Sequence, residues 1–205
     1  QRLTVEEGGR RWTLSFRVIP KDYPEQHISL ADRRRVSPPA RDLPRIRREA
    51  AALRAAFARW REAPRPPLAL RLPVQAPVSS PFGLRRFFNG LPRRPHSGLD
   101  LAAPAGTPVR APAPGRVTLA AELFFNGKTV VLDHGQGMQT LYCHLRRIAV
   151  APGQQVGAGQ VLGEVGATGR ATGPHLHWSV SLNGARVDPA LFLAPAQLAA
   201  IGLGP

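Results

Sequence analysis

From Val78 to about Leu193 the chain is written as short β-type runs cut by Gly/Pro turns, one roughly every 8 to 12 residues. The runs are Pro108–Ala111, Arg116–Leu119, Thr129–Leu132, Thr140–Cys143, Gln160–Gly163 and Leu176–Val180. With 22 Pro and 20 Gly in 205 residues, long helices have little room. A chain punctuated this way must bury its apolar residues between strands, so the expected fold is mainly β, a compact and largely antiparallel sheet domain. An apolar share of 43% is enough for one core and argues against wholesale disorder.

Ahead of that domain the text changes. From Leu3 to about Leu30 it suggests a hairpin, with Trp12, Leu14, Phe16 and Val18 alternating against Thr13, Ser15 and Arg17. A helix is expected from about Asp42 to Arg61, because Ile46, Ala50, Leu53, Phe57 and Trp60 fall on one stripe. Arginines 45, 47, 48, 54 and 59 lie largely off it and read as a solvated face. Five prolines between Glu62 and Pro77 demand an extended connector. The expected organisation is an accessory segment over 1–61, a Pro-rich linker over 62–77, the sheet domain over 78–193 and a short tail over 194–205.

The net charge of +15 is almost all arginine, since Lys21 and Lys128 are the only lysines. Such a chain is drawn to polyanions, whether nucleic acid, anionic lipid or an acidic wall polymer. Aromatics are only 6% and are not interleaved with arginines as base-stacking platforms require, which argues against nucleic acid. Cys143 is the single cysteine, so neither an intramolecular disulfide nor a multi-cysteine zinc cage can form. No apolar run approaches the roughly 18 residues of a membrane span, and membrane anchoring is not visible in the chain. The opening at Gln1, without initiator Met or apolar signal region, reads as a mature or trimmed form.

Five of the six histidines lie in the sheet domain: His96, His134, His144, His175 and His177. In His175-Leu176-His177, residues two apart on a strand share a face, so both imidazoles project together while Leu176 points into the core. Such a pair suits two metal ligands, or one ligand beside one proton-transfer group. His96-Ser97-Gly98-Leu99-Asp100 reads as a turn entering a strand, since Pro92, Pro95 and Gly98 oppose a helix. It delivers an imidazole and a carboxylate to one point, and with one histidine of the later pair makes a three-ligand zinc set. In Leu141-Tyr142-Cys143-His144-Leu145, strand alternation places Tyr142 and His144 on one face and makes Cys143 a small buried residue.

Together these pieces resemble the lysostaphin-type (LytM-like) zinc metallopeptidases, the murein endopeptidases. Those carry H-x-x-x-D, a later histidine after an aromatic-x step, and then H-x-H, which are matched in order by His96…Asp100, Tyr142-Cys143-His144 and His175-Leu176-His177. Ser80-Pro81-Phe82-Gly83, Leu101-Ala102-Ala103-Pro104 and the run Gly166–Pro174 agree as well, so the resemblance spans roughly Val78 to Leu193. It implies that His96, Asp100 and His177 bind Zn2+, with His144 and His175 left unliganded to handle protons and steady an oxyanion. His134 is read as structural. The implied substrate is the peptide cross-link of bacterial peptidoglycan, D-Ala–diaminopimelate bonds in preference to glycine bridges, cut in the cell envelope, in the periplasm, by a monomer.

Two other readings of the domain fare worse. A catalytically silent relative that regulates wall amidases would lack one or more of the five residues, and all five are present. A lipoyl-type carrier, suggested by Val156–Gly163, leaves the histidines unexplained. Residues 1–77, stiffened by proline, are expected to contact or shade the groove.

Overall fold

The computed structural model describes residues 1–63 and 65–204. Its strands are β1 (Arg2–Glu7), β2 (Arg10–Ser15), β3 (Glu25–Ile28), β4 (Val78–Ser80), β5 (Arg85–Phe88), β6 (Leu91–Pro92), β7 (Leu99–Leu101) and β8 (Pro108–Arg110). There follow β9 (Gly115–Leu123), β10 (Gly127–Gly135), β11 (Met138–Leu145), β12 (Arg147–Ile148), β13 (Gln155–Val156), β14 (Val161–Glu164), β15 (Leu176–Leu182) and β16 (Ala185–Val187). The α-helices are α1 (Leu43–Phe57) and α2 (Pro195–Ala200).

The main sheet runs β13-β9-β10-β11-β15-β7-β4, with β16 beside β15, and every pairing in it is antiparallel. Alternation along its strands sorts the side chains into two layers. Leu101, Val117, Val130, Leu132, Tyr142, Leu176, Trp178 and Val180 face the principal core. Leu119, Val131, Leu141 and Cys143 face the other way, where Ala56 and Phe57 of α1 cover them. His177 and Asp100 share that second face with Cys143, as register partners across β11, β15 and β7.

The helix ends at Phe57, so the apolar stripe loses its last member and Trp60 is 61% exposed. Past Phe57 the backbone is claimed by the β10–β11 turn. Gln139 donates to the Arg59 carbonyl at 2.7 Å, and the Gln136 amide donates to the Arg61 carbonyl at 2.8 Å. These bonds pull the chain out of the helical path. A hairpin does form, β1 paired with β2, but it ends at Ser15 instead of running to about Leu30, and Trp12, Leu14, Phe16 and Val18 are exposed.

The Pro-rich stretch is extended yet not free. Leu70, Val74 and Ala76 belong to the principal core, and Leu70 and Val78 donate to the carbonyls of Phe192 and Ile201. The tail likewise delivers Ile201 to that core. A small three-stranded sheet joins the accessory segment to the main-sheet domain: β3 pairs in parallel with β5, whose other edge carries β6.

Candidate metal centre

The turn before β7 holds His96 by its backbone, whose N–H donates to Leu84 O while its carbonyl accepts from Gly83 N–H. Gly98 has to be glycine here. A Cβ at that position would overlap the Trp178 carbonyl oxygen, so any side chain would push the turn off β15. Two residues later Asp100 stands opposite His177. Side chains brought from three places thus meet. His96 Nε2 is 3.0 Å from Asp100 Oδ1 and 3.0 Å from His177 Nδ1, and His177 Nδ1 is 2.7 Å from the same carboxylate oxygen.

The protons show what this cluster lacks. His96 Nδ1 lies 2.7 Å from the Pro81 carbonyl, which can only accept, so Nδ1 is the protonated nitrogen and Nε2 offers a lone pair. His177 has a single proton to place, either at Nδ1 or at Nε2, the latter 2.9 Å from Ser179 Oγ. Three acceptor atoms therefore share at most one proton between them while both imidazoles are neutral. A cation at their centre satisfies all three, and two imidazole nitrogens with one carboxylate oxygen form a donor set that suits zinc. Ligands about 2.1 Å from a tetrahedral zinc stand about 3.4 Å apart, a few tenths wider than the spacings here.

Electrostatics agree. Burial alone would raise the Asp100 carboxyl, but its close contacts with the His177 and His96 imidazoles hold it well below the usual carboxylate range. Its second oxygen accepts from Arg86 Nη2 at 2.6 Å, and Arg86 Nε in turn donates to Gln26 Oε1 at 2.9 Å. Gln26 also donates to Ser80 Oγ. Burial lowers the His177 pKa to about 4 against the pull of Asp100.

His144 reaches this face by a route that alternation does not foresee. The expectation that it shares a face with Tyr142 is overturned. Tyr142 packs in the principal core, whereas the His144 ring lies 4.8 Å from His175 and 6.3 Å from His177. The cause is a bulge: β10 and β11 slip register between Lys128 and Val130, and His144 takes φ +63°. That left-handed residue rotates its side chain to the Cys143 side of the sheet. Its Nδ1 donates to Thr168 O at 2.7 Å, and burial, then repulsion from His175 and His177, lowers its pKa to about 3.

Of the other expectations, Leu176 is fully buried, and His175 and His177 each have their ring near His144, at 4.8 Å and 6.3 Å between centroids. His175 Nδ1 donates to Gly173 O at 2.9 Å. Burial pushes the Cys143 thiol up to about 12, as suits an inert core residue. His134 has both ring nitrogens occupied, by Pro114 O and Thr140 Oγ1, which is a structural arrangement. The sequence reading missed Arg86, Gln26, Thr168 and Ser179. Only Ser179 had a signal, being two residues from His177 on one strand. The accessory segment does touch the groove, with Gln26, Ile28 and Leu30 lining it beside Ser80, Arg86 and Asp100.

Comparison with known proteins fits this geometry. The model of peptidase family M23 matches residues 94–189. A solved M23 peptidase of Pseudomonas aeruginosa is 49% identical, covering 94% of this chain and 72% of that one, with a TM-score of 0.74. DD-carboxypeptidase/endopeptidase Mpg of Neisseria meningitidis is 44% identical over 122 residues, which is 60% of this chain and 28% of that protein. Peptidoglycan DD-endopeptidase ShyA of Vibrio cholerae is 41% identical over 121 residues, 58% of this chain and 28% of its own length. The chain belongs to peptidase family M23. It spans 28% of the length of each of these two curated relatives.

Proposed function

We propose that this chain is a zinc-dependent endopeptidase that hydrolyses peptide cross-links of bacterial peptidoglycan in the cell envelope, acting in the periplasm on D-Ala–diaminopimelate bonds. The observation that carries the reading is the convergence of His96 Nε2, Asp100 Oδ1 and His177 Nδ1 within 3.0 Å of one another, beside two further histidines in a groove. The names borne by Mpg and ShyA support the choice of bond.

His96, Asp100 and His177 would hold the metal. Zinc bound there would supply a Lewis acid that polarises a peptide carbonyl and makes water a nucleophile near neutral pH. The protein's own part is proton handling. His144, neutral and with Nδ1–H committed to Thr168 O, leaves Nε2 to take a proton from attacking water and pass it to the leaving amine. His175, its Nδ1 held by Gly173 O, turns its ring towards the groove as the group that would face the developing oxyanion. Arg86 fixes the outer oxygen of Asp100, which keeps Oδ1 aimed at the cluster. A silent regulator is disfavoured because all five side chains are present and grouped.

The test is digestion of purified peptidoglycan by the zinc-loaded protein and by His177→Ala, with released muropeptides weighed by mass spectrometry. Loss of cross-linked species with the parent and none with the variant is expected. An inactive parent refutes the peptidase reading, and a fully active variant refutes the ligand set.

A further inference from the structure

Arg170 is a cation in the groove without an anion. Its guanidinium lies over the Phe88 ring at 4.4 Å and the Phe125 ring at 4.8 Å. It lines the groove beside His144 in a cavity of about 360 Å3, and an adjoining cavity of about 200 Å3 that also touches His96 and His177. Among the described residues the guanidinium makes no hydrogen bond or ion pair, and the charges acting on it are two more cations, Arg93 and Arg86. Those two are already engaged, Arg86 with Asp100 and Gln26, Arg93 with the Val36 carbonyl. Asp100, the one acidic side chain lining either cavity, is held by Arg86, His96 and His177.

The loop that bears Arg170 is fixed rather than loose. Arg170 N–H donates to Phe125 O at 2.7 Å, and Thr168 Oγ1 donates to Leu145 O while accepting from Lys128 N–H. Gly169, at φ +78°, lets the loop lie directly on the backbone of Gly127. Burial, then repulsion from Arg93 and Arg86, lowers the Arg170 pKa to about 10, so it stays charged at neutral pH. A guanidinium clamped by aromatic faces keeps its in-plane N–H fork free, and that fork matches a carboxylate in two parallel hydrogen bonds.

We propose that Arg170 reads a free carboxylate on the substrate, so that the groove selects peptides carrying one next to the scissile bond. This rests on the peptidase reading above. A neutral glycine bridge offers no such group, whereas the diaminopimelate residue on the amine side of a D-Ala–diaminopimelate bond does. Arg170 is a specificity residue in this scheme and takes no part in proton transfer.

The experiment uses two synthetic peptides in which D-Ala is joined to a diaminopimelate amine, identical except that the carboxylate beside that amine is free in one and a carboxamide in the other. The full zinc-loaded chain, Arg170→Gln and Arg170→Lys are compared for kcat/KM on each. Binding of both peptides to the metal-free proteins is measured by calorimetry. The parent is expected to favour the free acid by about 10- to 100-fold in both measurements, the range of a charged hydrogen bond. Arg170→Gln should bring that ratio to within about twofold of unity, and Arg170→Lys should fall between. A parent without preference overturns the proposal, as does an Arg170→Gln protein that is slower on both peptides with the ratio kept, since that is loop support alone. Should Arg170→Gln fail to fold, Arg170→Lys decides, and an unchanged ratio there overturns it. Binding preference without hydrolysis of either peptide upholds Arg170 and refutes the peptidase reading; equal hydrolysis of both does the reverse.

Discussion

Removing metal and lowering pH should unfold this protein through its histidines. His144 and His177 are buried and neutral, with pKa values lowered from 6.5 to about 3 and about 4. The sign follows from which state binds protons. Below pH 6.5 the unfolded chain protonates both imidazoles while the folded chain does not, so stability falls as pH falls. Each group contributes fully above 6.5 and loses its contribution progressively down to its folded pKa. At about 1.4 kcal/mol per pH unit per proton, the two together should cost about 4 kcal/mol between pH 7 and pH 5. The assay is urea denaturation of the metal-free protein, followed by tryptophan fluorescence at several pH values. His144→Gln should remove about half of the slope. A metal-free protein whose unfolding free energy changes by less than about 1 kcal/mol over that range would refute the reasoning, because the imidazoles would then not be held neutral by burial.

Two further outcomes are expected. Phe57→Ala opens a hole between α1 and the Leu119, Val131, Leu141, Cys143 face and removes the ring under Arg186; it should cost about 3–5 kcal/mol in the same denaturation experiment. Gly98→Val drives a side chain into the Trp178 carbonyl and displaces His96 from Asp100, so zinc binding, followed by competition with a chromophoric chelator, should weaken by at least about tenfold while β1 and β2 keep their pairing.

How much of this was readable in advance depended on the range of each interaction. The strand rhythm survives because Val, Thr and Leu runs bounded by Gly and Pro carry their own periodicity, and Leu176 pointing inward between His175 and His177 is a two-residue consequence of the pleat. His144 defeated that same rule. Its side chain is aimed by a bulge, and a bulge is a property of the pairing between β10 and β11 that Leu141–Leu145 does not contain. Arg86 was hidden for a related reason: its partners Gln26 and Asp100 lie 60 and 14 residues away and meet only once β3 has joined β5. The helix stripe was right as far as Phe57 and failed at Trp60, where side chains of the β10–β11 turn compete for the backbone.

The strap between Leu70 and Val78 has a mechanical consequence. It is bonded to Phe192 at one end and Ile201 at the other, so the segments that lead into and out of the main-sheet domain are stitched side by side on the same patch of core. Tension carried along the extended connector itself would meet that seam before it reached the strands bearing His96, Asp100 and His177. The accessory segment keeps a separate route to the cluster, through β3 on β5 and Gln26 on Arg86.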